Sequence, residues 1–147
     1  MLKELTAEEA LAKFKLSKIA PQMMAKGKIS DKVLRTDMLG VTAQVISPDG
    51  GETNLHAHPG VDSAWIVLDG EATFYTVDDK VVATMGRYDS LLIPGGTPYW
   101  FKCTSQDPLV ILHVSARIPG AEGPSRQDYR PPVEKPREAV AGVFFAG

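Results

Sequence analysis

Gly50-Gly51-Glu52-Thr53-Asn54-Leu55-His56-Ala57-His58 is the stretch on which the reading of this chain turns. It sets two of the chain's three histidines two residues apart, after a Gly-rich turn and before Pro59-Gly60. A strand alternates its side chains with a period of two, so both imidazoles leave the same face. That arrangement is half of a metal site. Outward from it, short apolar and β-branched runs are punctuated by turn residues at the spacing of an antiparallel sandwich or barrel. The pattern predicts strands over 40–47, 55–58, 63–68, 71–77, 81–85, 90–93, 99–102 and 109–116, with hairpin turns at Asp69-Gly70 and Asp78-Asp79. Strands of this number and length favour a jelly roll over an open sheet.

Gly50, His56, His58 and Gly70, followed by Pro94, Gly96 and Tyr99, resemble the two motifs of the cupin superfamily, in its small, single-domain, RmlC-like form. The likeness extends over roughly residues 38–117. It implies an all-β fold, a double-stranded β-helix (jelly-roll) barrel, and one divalent metal held by His56 and His58. Fe2+ is favoured; Mn2+, Zn2+, Ni2+ and Co2+ stay open, because neutral imidazole binds all of them. Two counts give the family's acidic position. Three residues after His58 it falls on Asp62, and in the register set by Gly70 it falls on Ser63. Asp62 is preferred as a ligand because a carboxylate beside two imidazoles completes a facial triad, whereas serine binds divalent ions poorly. Alternation nevertheless groups Ser63 with Trp65 and Val67 on one face of the strand. Tyr99 stands at the family's usual third-histidine position, where a phenol suits hydrogen-bonding a substrate better than ligating a metal at neutral pH.

His113 interrupts the apolar run Leu109-Val110-Ile111-Leu112 and Val114. A buried imidazole without a partner costs about 1–3 kcal/mol, so this one needs a partner or a role, as general base, substrate anchor or missing ligand. Some small metal-dependent cupins that act as lyases carry a base on this strand. Trp65, Ser63, Trp100 and Gln44 are the candidate substrate contacts, and His113 and Tyr99 the candidate catalytic groups. Cys103 reads as a small buried thiol, and the Arg87-Tyr88-Asp89 turn, where cupins usually have Gly-Asp, as structural.

Three segments are expected: an N-terminal helical cap or arm over 1–37, the barrel over 38–117, and a Pro-rich extended tail over 118–147. Thr6-Ala7-Glu8-Glu9 has the form of a capping box opening a short N-terminal helix with Ala10, Leu11 and Phe14 on its apolar face. Met23, Met24, Ile29 and the final Val143-Phe144-Phe145 need cover, from the barrel or from a second subunit; a homodimer is the expected assembly. At 147 residues the chain suits one domain. A net charge of -2 gives no reason to expect nucleic acid or a membrane surface as partner. A single cysteine, no long apolar run and no secretory core in Met1-Leu2-Lys3-Glu4 point to the cytoplasm. The expected function is metal-dependent catalysis on a small, partly apolar organic molecule, foremost as an Fe(II)-type dioxygenase. A phosphorylated sugar is not expected, because no Arg/Lys cluster adjoins the first motif in sequence. One alternative is a lyase or isomerase with a Lewis-acid metal and His113 as general base; another is a noncatalytic binding cupin.

Overall fold

The computed structural model describes residues 2–133 and 135–147. Beyond one short helix, α1 (Ala7–Leu11), it is built of strands: β1 (Gln22–Lys26), β2 (Lys28–Arg35), β3 (Leu39–Ile46), β4 (His56–Ala57), β5 (Val61–Asp69), β6 (Ala72–Tyr75), β7 (Val81–Met85), β8 (Ser90–Ile93), β9 (Trp100–Cys103), β10 (Leu109–Arg117), β11 (Gln127–Asp128) and β12 (Glu138–Phe144). One layer has the order β2-β3-β10-β5-β8. The facing layer comprises β7-β6-β9 and the pair β11-β4. Two backbone hydrogen bonds between His56 and Tyr99 join these two pieces. All strand pairs are antiparallel, as in a jelly-roll barrel.

Alternation sorts the side chains of each strand. On β10, Leu109, Ile111 and His113 face inward, and on β5 Ser63, Trp65 and Val67 do the same, all buried except the half-buried His113. Phe74 and Phe101 close the core from the opposite layer, their rings stacked at 4.6 Å, with Trp65 4.8 Å from Phe101. A smaller cluster of Met24, Val45 and Val110 lies behind the first layer, covered by Met23, Ile29 and Phe145. The methionines and the terminal Phe145 therefore pack on the barrel itself. Phe144 stays 56% exposed.

The N-terminal segment departs from expectation. The capping box forms, with Thr6 N donating to Glu9 Oε2 and Glu9 N to Thr6 Oγ1. The helix nevertheless spans only five residues, and Leu11 and Phe14 are 72% and 77% exposed. An isolated helix so short cannot persist on propensity alone, and no barrel surface covers its apolar side. Residues 22–35, expected as part of a helical arm, form β1 and β2. The tail also supplies strands: β11 pairs with β4, and β12 pairs with β1. These strands carry Lys, Asp, Glu and Gly, residues that strand propensity disfavours, and tertiary pairing overrides that bias. No helix among the described residues is long and apolar enough to cross a membrane.

Two glycines of the opening stretch have distinct reasons. Gly50 holds φ +78, a left-handed conformation that costs other residues about 1–2 kcal/mol. Gly51 lies where a Cβ would stand 2.5 Å from Ile46 Cγ2 and 2.6 Å from the Ser47 carbonyl oxygen. Gly51→Ala is expected to lower unfolding free energy by about 1–3 kcal/mol in urea titration, the range for overpacking against a rigid backbone. A variant as stable as wild type would show that this turn yields freely.

Candidate functional site

Pairing register builds one cleft from several strands. Residues directly opposite in a sheet point to the same side, and His113 sits between Thr42 on β3 and Trp65 on β5. Its ring stacks on Trp65, centroids 4.2 Å apart and 6° from parallel. Its Nε2 lies 2.8 Å from Ser63 Oγ. His56 comes in on the facing layer, locked by its backbone bonds to Tyr99, and His58 follows two residues later. The rings of His56 and His58 are 5.0 Å apart, those of His58 and His113 6.4 Å. Gln44, Tyr99, Lys28 and Arg126 complete the wall of a cleft of about 170 Å³.

Both motif histidines have one nitrogen assigned by a backbone carbonyl. His56 Nδ1–H donates to Asn54 O at 2.6 Å, and His58 Nδ1–H donates to Ser125 O at 2.9 Å. A carbonyl only accepts, so each neutral ring carries its lone pair on Nε2, the usual way in which an outer partner prepares an imidazole for a metal. Burial, opposed by the Asn54 carbonyl and reinforced by Arg126, pushes His56 down to about 4. Burial, reinforced by His58 and His56, brings His113 down to about 4 as well. Burial pushes the Tyr99 phenol above its ordinary value, so it stays a protonated hydrogen-bonding group.

The donor set fits a divalent ion through His56 and His58 but does not form the expected triad. Asp62 is exposed on the opposite face of β5, where its Oδ1 accepts from the Gly95 amide at 2.9 Å. Alternation forces this outcome, since Ser63 and Trp65 point inward. Among the described residues no three His, Cys, Asp or Glu side chains are grouped to enclose an ion. Trp100 is also outside the cleft: it stacks on Tyr75 at 4.1 Å, and its Nε1 donates to Asp79. Ser63, Trp65, Gln44, Tyr99 and His113 do come together with the motif histidines. Buried Cys103 lies beside the Ser105 and Asp107 carbonyls.

Two charged cleft residues escaped the sequence reading. Lys28 faces inward because β2 pairs it with Ile46, an inward position of β3. Alternation in Lys28-Ile29-Ser30-Asp31-Lys32 was the available signal, once 28–35 was taken as a strand. Arg126 belongs to the tail, where it donates to Asp128 Oδ1 at 2.9 Å and to Asn54 Oδ1 at 2.6 Å. No local pattern announces it. Basic groups therefore do adjoin the first motif in space, contrary to the expectation from sequence proximity.

Below about pH 6.5 the unfolded chain takes up protons on its imidazoles, whereas folded His56 and His113 resist until about pH 4. Stability from these rings is full above 6.5 and is lost as the pH falls toward 4. In chelator-treated protein the Tm is expected to decline across that window, and His56→Gln/His113→Gln to flatten the decline. An unchanged slope in the double variant would place the acid sensitivity elsewhere.

Comparison with known proteins agrees with this geometry. No curated protein sequence matches the chain. Among solved structures, a conserved double-stranded β-helix protein from Klebsiella pneumoniae subsp. pneumoniae is 25% identical, over 74% of this chain and 86% of that one, with a TM-score of 0.57. An RmlC-like cupin protein from Desulfovibrio desulfuricans is 21% identical, over 60% and 81%, with a TM-score of 0.52. A chain from the structures of the DMSP lyases RdDddP and RnDddQII is 19% identical, over 65% and 46%, with a TM-score of 0.51; these last two share the fold alone. The cupin-domain family model matches residues 43–115, the segment from β3 to β10 that carries both motif histidines and His113, and the chain belongs to the cupin superfamily.

Proposed function

We propose that this cupin is an enzyme that moves a proton on a small organic anion, in a lyase or isomerase reaction, with a divalent metal held by His56 and His58. The observation that carries the reading is the convergence of His113 and the two motif histidines with Lys28 and Arg126 in a cleft that no carboxylate lines among the described residues. Such a lining favours an anionic ligand, because Lys28 and Arg126 bring positive charge to it. The dioxygenase expectation drew its support from Asp62 as third ligand. With Asp62 bonded to the Gly95 amide, that support falls away.

The roles follow from position. Lys28 and Arg126 bind and orient the anionic end of the substrate. Arg126 is itself held by Asn54 and Asp128, so its guanidinium enters the cleft with little freedom left to lose. His113 accepts the proton from the reacting carbon or oxygen. The Ser63 hydroxyl accepts from His113 Nε2–H, which leaves the lone pair on Nδ1 to take the proton and keeps the same bond in the imidazolium. Trp65, stacked on His113, keeps the imidazole plane fixed. Tyr99 donates a hydrogen bond to the substrate from the side of His56. A bound divalent ion supplies Lewis-acid polarisation of a substrate oxygen. The double-stranded β-helix also hosts lyases, the DMSP lyases among them, which is compatible with this reading at the level of fold.

For the assembly we propose a homodimer, supported by the uncovered Leu11, Phe14, Val143 and Phe144. For location we propose the cytoplasm, supported by a single buried cysteine.

Elemental analysis of untagged protein is expected to find about one divalent metal per chain, and His58→Ala to lose at least nine-tenths of it, in line with the roughly tenfold to hundredfold effect of disturbing metal-site residues. His113→Gln is expected to keep the metal and to lower turnover of a panel of small carboxylates by about 10²–10⁴, the usual contribution of a general base. Full metal in His58→Ala would overturn the proposed site, loss of metal in His113→Gln would make His113 a ligand, and metal binding without turnover of any acid would favour a noncatalytic cupin.

A further inference from the structure

Beside the histidine cleft lies a second cavity of about 270 Å³, lined by Gly27, Lys28, Gly50, Glu52, Lys135 and Arg137 with Val133 at its edge. It forms where the tail crosses the β1–β2 turn: Gly27 has φ +69, and the Arg137 side chain lies against it. Among the described residues, three cations face one carboxylate. Glu52 is already engaged, accepting from Lys135 Nζ at 2.6 Å. Lys28 and Arg137 have no hydrogen-bonded or ion-paired partner among the described residues. Lys28 is half-buried, and burial, with Arg126 and Arg137 adding to it, holds its ammonium below the ordinary value. Cations that crowd one another around a void are stabilised by an anion that enters it.

We propose that this cavity is a binding site for a phosphate group, held by Lys28, Lys135 and Arg137 and separate from the histidine cleft. Phosphate suits it on two counts. Its charge of about −1.5 to −2 at neutral pH answers the surplus of two cations among the described residues, and its terminal oxygens accept from ammonium and guanidinium donors arriving from different directions. Lys28 lines both cavities, so a phosphate here stands next to the proposed substrate end of the cleft. The site goes beyond the proton-transfer reading and holds whether or not His56 and His58 bind metal.

The test is titration of the full chain with inorganic phosphate at low ionic strength, followed by calorimetry and 31P line broadening, with thermal melts of every variant. Wild type is expected to bind one phosphate per chain, Arg137→Gln to weaken binding at least fivefold, and Glu52→Gln to tighten it severalfold by freeing Lys135. A gain of affinity in Glu52→Gln is an outcome that misfolding cannot imitate. His56→Ala/His58→Ala is expected to leave phosphate binding unchanged. Absence of saturable binding would overturn the proposal. So would binding that survives Arg137→Gln but is lost in Arg126→Gln, which would put the anion in the histidine cleft, or malonate binding as tightly as phosphate, which would make the site one for carboxylates.

Discussion

The pairing of β10 between β3 and β5 is the constraint from which the rest of the site follows. Its register sets Ile111 opposite Gln44 and Val67, and His113 opposite Thr42 and Trp65. Because a strand alternates strictly, a slip of one residue would turn His113 to the back of the sheet and bring Val114 into the cleft. The apolar residues that resist such a slip are Leu109 and Ile111 on the inner face and Val110 on the outer, all fully buried. Packing of the core thus determines the direction of a polar side chain that joins it only at its margin, by stacking on Trp65. The same rule sends Ser63 and Trp65 inward and Asp62 outward.

A second layer of control comes from outside the barrel. Asn54 is its hub: the backbone carbonyl takes the His56 proton, while the side chain bonds Asp128, the Arg130 carbonyl and Arg126. One short residue therefore orients a motif imidazole and ties down the tail that brings a cation. Lys28 arrives by a different route, through the edge strand β2. Edge strands tolerate charged residues that would be costly in the middle of a sheet, and here the inward charge also discourages further strand pairing at that edge.

Much of the barrel was legible because its strands obey local rules. β7 and β8 match their predicted ranges of 81–85 and 90–93, and β3, β5 and β10 differ from theirs by one or two residues at either end. The turns at Asp69-Gly70 and Asp78-Asp79 also form, with positive φ at Gly70, Asp78 and Asp79. What was not legible depends on distant partners. β1, β2, β11 and β12 carry few β-branched runs and exist because other strands pair with them. Counting from a motif placed Asp62 among the ligands, whereas the pleat turns Asp62 outward and Ser63 into the barrel; the alternation of Ser63 with Trp65 and Val67 already carried that orientation. Tyr88 is a different case. It occupies a turn position with φ +69, where a glycine would be unstrained, and the turn persists because Asp89 accepts from the Gly86 amide and Tyr88 N donates to Val67 O.

The bond from His58 to the Ser125 carbonyl spans 67 residues of sequence. The pairings among β3, β5, β6, β7, β8, β9 and β10 involve no residue of the tail, so the barrel can close with that ring still free to rotate. Its tautomer is selected only when the tail lies down along β4. Orientation of this ring is in this way separable from formation of the barrel. The tail thus completes the cleft: a chain that has closed its core but not yet laid down residues 125–130 lacks the carbonyl that assigns the His58 tautomer.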